Sequence, residues 1–105
     1  MHPINGTWKI TAHSPLGELP SVNEIRVEGD GFTGVMHDER SGRDYDIVDG
    51  RMDGNRVTFS ATMKFGFVSM TFAMEGLISE DGKSCTGTAR AMKMEGTFEG
   101  VKISD

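Results

Sequence analysis

Residues 55–78 read NRVTFSATMKFGFVSMTFAMEGLI. Val57, Phe59, Ala61, Met63, Phe65 and Phe67 alternate with Thr58, Ser60, Thr62, Lys64 and Gly66. Val68, Met70, Phe72, Met74 and Gly76 then alternate with Ser69, Thr71, Ala73 and Glu75. Successive side chains on a strand point to opposite faces, so this period of two marks strands with one dry and one wet face. No segment of the chain shows a helical period. Pro15 and Pro20 disfavour even a short helical turn over 14–20.

The same parity extends outward in both directions. It places Trp8, Ile10 and Ala12 inward on a first strand and Asn23, Ile25 and Val27 on a second. Phe32, Gly34 and Met36 follow on a third, and Tyr45 and Ile47 on a fourth. Cys85, Gly87 and Ala89 fall on a seventh, and Phe98 and Gly100 on an eighth. Between these runs lie Gly29-Asp30-Gly31, Asp53-Gly54-Asn55 and Asp81-Gly82. Such dipeptides signal two-residue hairpins, here expected as type I′ turns with φ > 0 at both central residues. The alternate connections, Ser14 to Pro20, Asp38 to Arg43, Lys64 to Val68 and Met92 to Gly96, read as longer and more varied. If the strands run up and down, the tight turns share one end, a closed floor, and the longer loops share the other, an open mouth.

Eight antiparallel strands joined by hairpins predict a closed up-and-down β-barrel, which removes the exposed sheet edges. A sandwich of two sheets built from the same strands is the alternative. A strand–loop–strand–turn–strand unit recurs, once around Pro15-Leu16-Gly17-Glu18 and Asp30-Gly31, and again around Lys64 to Phe67 and Asp81-Gly82. Gly6-Thr7-Trp8 opens the first strand and resembles the Gly-x-Trp signature of calycins, the superfamily of lipocalins and fatty-acid-binding proteins. The Pro-x-Gly-Glu hairpin at 15–18, with Asp81-Gly82 followed by Thr86-Gly87-Thr88-Ala89, is similar to small bacterial lipocalin-like domains. The resemblance implies a single lipocalin-like barrel over residues 1–105 with Trp8 near its floor. Lipocalins set a late Arg against that Trp; Arg90 is the one late Arg here, and its phase reads outward. The chain is shorter than a typical lipocalin, which implies a smaller or shallower pocket.

Composition narrows the function. A chain of 105 residues is one domain with a small core. A formal net charge of −5 leaves no basic face for phosphate neutralisation, so nucleic acid is not expected as a partner. No apolar run approaches the roughly 20 residues of a spanning helix. The first residues show no basic stretch followed by an apolar one, so no signal peptide is read, though a processed secreted form remains open. Cys85 is alone, which favours a cytoplasmic, disulfide-free protein. Asn5-Gly6-Thr7 matches a glycosylation sequon that this reading treats as chance. Val22, Val35, Leu77, Val101 and Ile103 fall on outward or ambiguous phases, so a homodimer through the outer wall or rim is expected.

Eight methionines are many for this length. Met is flexible and polarizable, and suits surfaces that adapt to varied apolar partners. Met36, Met63 and Met70 fall inward toward the mouth, with Phe65 beside them. Inward polar groups join them there: Asn23, Tyr45 and Asp38, the last continuing the phase of Met36. His13, His37 and Arg43 stand at the edge. These residues form the expected ligand site, taking a small hydrophobic or amphipathic molecule. The alternative is a cofactor-independent isomerase, cyclase or lyase using Asp38, His37 or Tyr45 as acid or base. A protein-interaction module built on the Phe65–Phe67 hairpin is a third class. No cofactor motif, metal-ligand spacing, nucleophile elbow or phosphate loop is present. Cys85, small and inward, reads as core.

Overall fold

A computed structural model describes residues 1–105. Eight strands follow in order: β1 (Gly6–Ser14), β2 (Gly17–Glu28), β3 (Gly31–Asp38), β4 (Asp44–Asp53), β5 (Arg56–Phe65), β6 (Val68–Ile78), β7 (Ser84–Ala91) and β8 (Met94–Ser104). Each pairs antiparallel with its neighbours in sequence, and β8 returns to β1, closing the barrel. The closed ring rather than the sandwich therefore forms. The inward parity holds along the strands except at Val68, which is exposed at the start of β6, and on β4, which changes phase after Ile47; 21 buried apolar residues make one continuous core. Phe32, Phe59 and Phe98 meet edge to face at centroid distances of 5.8 and 6.4 Å. Gly87 sits where this packing leaves no room, because an added Cβ would lie 1.9 Å from the Glu75 carbonyl oxygen.

The expected difference in loop length between the two ends is absent. At the mouth end β1–β2, β5–β6 and β7–β8 are joined by two residues each, and only β3–β4 has a five-residue loop, 39–43. At the floor end, Asp81-Gly82 lies within a five-residue connection, 79–83. The turns also differ in type. Gly29 (φ 59°) and Gly54 (φ 62°) are left-handed, but the residues after them are not. Positive φ at the first central residue alone is the type II′ pattern, which places glycine there rather than second. Strand β2 begins earlier than expected and takes in Pro20. The Pro20 carbonyl accepts from Glu39 N at 3.1 Å, so its nitrogen faces the same side, where β3 has already ended and no ladder N–H is required.

What closes the floor is the N-terminal segment. Ile4 is buried, and its carbonyl accepts from Trp8 Nε1 at 2.8 Å. His2 bonds the Gly54 carbonyl at 2.7 Å, and Asn5 Oδ1 accepts from Val27 N at 3.0 Å. Trp8 is fully buried beneath this plug. The cation over its ring is Lys102, with Nζ 5.9 Å from the ring. Arg90 points outward and pairs with Glu95 at 3.4 Å. Lys102 pairs with Trp8 in the β1–β8 ladder and continues the inward phase of Phe98 and Gly100, so parity extended past Gly100 is the signal that finds it.

Strand β4 carries a second irregularity. Two residues, Val48 and Asp49, oppose Thr33 alone, and Asp49 adopts φ 55°. The bulge resets the phase so that Gly50 comes to rest against the Phe32 ring. Beyond it, toward the mouth, β4 and β5 form no register pairs past Val48–Ser60. The Tyr45 hydroxyl spans this seam, donating to the Lys64 carbonyl at 3.5 Å and accepting from Lys64 N at 3.3 Å. A side chain thus supplies the partners that the missing ladder does not.

Candidate functional site

The barrel interior is filled except for one small void in its mouth half, a cavity of about 20 Å³. Ile10, Ala12, Leu19, Met36, Met63 and Met74 are among its walls, and Ser21 supplies its one hydroxyl. That volume holds about one water-sized sphere. Its walls, however, include three methionines, the side chains best able to change shape without backbone movement. Met36 and Met63 were expected here. Ala12, Leu19, Ser21 and Met74 were not among the expected site residues, although inward parity is the signal that would have found them.

Behind Ser21, outside the void's lining, lies the one buried side-chain polar atom without a partner. Asn23 is 0% exposed, flanked in the ladders by Trp8 and Met36. Its amide Nδ2 donates to Ser21 Oγ at 2.9 Å, and Ser21 Oγ donates to the Ile10 carbonyl at 3.4 Å. Asn23 Oδ1 has no partner. A buried acceptor left unpaired costs about 1–3 kcal/mol, so this atom is an unspent site for a donor.

Asp38 is buried at the top of β3, but its carboxylate is already committed. Oδ1 accepts from Arg40 N at 3.1 Å and Oδ2 from Ser41 Oγ at 2.9 Å. The Arg40 guanidinium stands 3.6 Å from Oδ2 and 5.2 Å above the Phe65 ring. Phe65 in turn meets Phe72 edge to face at 6.1 Å. Asp38 thus ties the 39–43 loop down over the mouth, with Arg40 as its cover. Tyr45 spends its hydroxyl on the β4–β5 seam. Met70 is buried opposite Met63. Arg43 is exposed on the loop, with no ion-pair partner.

His13 and His37 face the outer wall. His37 is held between Asp44 and Glu24, each 2.6 Å from a ring nitrogen. His13 bonds Glu99 at 3.0 Å and stands 3.5 Å from Glu18. None of Asp38, His37 and Tyr45 is part of the void's lining, so no acid–base pair faces it. Cys85 is also out of play as a nucleophile, since burial pushes its thiol up to about 11. The outer-wall valines expected at a dimer contact are scattered: Val22 and Val35 are partly buried, and β7 separates Leu77 from Val101.

The two histidines give a pH signature. Hydrogen bonds to Glu99 in His13, and to Glu24 and then Asp44 in His37, raise both above the ordinary 6.5. A raised folded value means the stabilisation is complete below the unfolded value and is lost as pH rises through the folded one. The urea midpoint is therefore expected to fall as the pH rises above about 6.5, and His37→Gln should flatten that slope. A midpoint that instead rises above that pH in the parent protein would contradict the pairing.

No family model matches the chain, and no curated protein matches it in sequence. A search of solved structures finds the apo crystal structure of lipid binding protein 8 from Caenorhabditis elegans. The two superpose with a TM-score of 0.54 at 12% identity, covering 98% of this chain and 97% of that one. At that identity the likeness is one of fold alone.

Proposed function

We propose that this barrel binds a small, mainly apolar molecule in its mouth half and anchors it by a hydrogen-bond donor on the ligand. The observations that carry this are an apolar void walled by Met36, Met63 and Met74 and, behind its Ser21 wall, the unpaired, fully buried Asn23 oxygen. The fold likeness to a lipid binding protein is consistent with it. A ligand needs far more than the void's volume, since typical pockets measure roughly 300–1,000 Å³. The methionine side chains must therefore swing aside as it enters, and the ligand replaces their packing. Its head group follows from the charges. Arg40, the cation over the mouth, is already matched by Asp38, so a carboxylate finds no free partner inside. A hydroxyl or amide N–H, by contrast, finds Asn23 Oδ1.

A hydrophobic fluorescent probe, displaced by three ligands of equal chain length ending in methyl, hydroxyl or carboxylate, tests this. The hydroxyl ligand is expected to compete best, by about tenfold over the methyl one. Met63→Ala or Met36→Ala should weaken its binding, whereas Asp53→Ala at the floor should not. Equal competition by all three ligands, or equal effects at mouth and floor, would overturn the assignment.

A further inference from the structure

The rim of the barrel carries a second feature, independent of the void. Four connections ring the mouth, and three are tipped by apolar side chains that no other part of the chain covers. Leu16 tips the β1–β2 turn, Phe67 and its neighbour Val68 the β5–β6 turn, and Met92 the β7–β8 turn. Phe67 is 108% exposed and Met92 86%. Met92 also holds φ 54°, a conformation glycine takes freely and an L side chain resists, so its outward display is held against a backbone preference. None of the three floor-end connections carries an exposed large apolar residue.

The charges at this rim are mixed. Asp38, Glu39 and Glu95 are ion-paired with Arg40, Lys9 and Arg90, while Glu18 and Asp44 lie against His13 and His37, each of which also holds a second carboxylate, Glu99 and Glu24. Asp46, lower on the β4 wall, has no cation partner. Arg43, Lys64 and Lys93 are exposed on the rim and have no acidic partner. The rim therefore presents three cations outside any ion pair alongside bare Phe, Met, Leu and Val.

We infer that the mouth end of the barrel docks on an anionic lipid surface. The apolar tips enter the boundary between head groups and acyl chains, while Arg43, Lys64 and Lys93 meet the lipid phosphates. The walls limit the contact to the rim. They carry Glu24, Arg26, Glu75, Arg90 and Glu99 on their outer faces around an apolar interior, the reverse of a barrel that spans lipid. A second copy of the chain fits this surface less well. A two-fold mouth-to-mouth contact would bring the same three unmatched cations against each other.

The test is co-sedimentation of the full chain with vesicles of equal parts phosphatidylglycerol and phosphatidylcholine, at low and high salt, with pure phosphatidylcholine alongside. Binding is expected to the anionic vesicles and to weaken with salt. Phe67→Ser should lower the partition coefficient by about tenfold. Lys64→Glu with Lys93→Glu should lower it at least as much and remove most of the salt dependence. All of these sites are exposed turn or rim positions, and an unchanged circular dichroism spectrum verifies the fold. In Phe67→Trp the new indole should shift to the blue on vesicles, against a constant contribution from buried Trp8. No binding to anionic vesicles at low salt, or variants that bind like the parent, would overturn the proposal. So would a concentration-dependent dimer that Phe67→Ser dissolves, since that outcome assigns the surface to a second copy.

Discussion

Trp8→Ala is expected to destabilise the protein by about 3–5 kcal/mol, a large share of the roughly 5–15 kcal/mol that holds a small domain together. Three losses combine. The substitution empties the most deeply buried large side chain in the barrel. It removes the donor to the Ile4 carbonyl, so the plug over the floor loses its anchor. It also takes away the ring beneath Lys102, whose ammonium donates to the Pro3 carbonyl at 2.8 Å and pairs with Asp105 at 2.8 Å. Chemical denaturation followed by circular dichroism measures this directly, and the plug adds a specific mark. Amide protection in residues 2–5 should fall further than in β5 or β6, because neither strand pairs with β1 and their ladders stay intact. A loss of less than about 1 kcal/mol, with protection of residues 2–5 intact, would mean that the floor is held by something other than Trp8.

Asn23→Leu should move stability and binding in opposite directions. Leucine repeats the branched outline of asparagine with larger methyl ends and brings no polar atoms, so the unpaired Oδ1 disappears while Ser21 keeps its bond to the Ile10 carbonyl. The lost bond to Ser21 costs about 1 kcal/mol, and removing the orphan acceptor returns about 1–3 kcal/mol. A net gain in stability of about 1 kcal/mol is expected. For a hydroxyl-bearing ligand the same change removes the anchor, and affinity should fall about tenfold or more, while a methyl-terminated analogue should be affected little. The contrast between the two ligands is the informative measurement. If Asn23→Leu weakens both equally, or lowers stability, the asparagine serves the core packing and the ligand does not reach it.

The relation between chain and structure differs from one region to another. Strands β5 and β6 were legible in residues 55–78, because alternation is a local property that closure of the barrel does not alter. Met36, Met63 and Met70 were placed correctly inward for the same reason. Turn positions were legible from glycine, yet their type was not: Gly29 and Gly54 take positive φ as the first of two central residues, and the dipeptides alone suggested both. Phe67 and Val68 continued the alternation in sequence, but the chain reverses at Gly66-Phe67 and leaves both exposed. Asp38 was read as inward and buried as it is. The commitment of its carboxylate to Arg40 and Ser41 depends on how the loop folds back, which no periodicity encodes.

The amino-acid sequence by itself determined the strand count and the inward face of each strand up to the β4 bulge, since each rests on contacts a few residues long. Only the tertiary structure decided what seals the floor, what covers Trp8, and that the mouth half holds a void of about 20 Å³. Pro3 and Lys102 are 99 residues apart and meet because β8 returns to β1. Asn23 and Ser21 read alike as inward polar residues. Which of their atoms stays unpaired depends on the packing of β1, β2 and β3 around them. Closure of a barrel creates such contacts all at once, between residues whose local patterns carry no sign of one another.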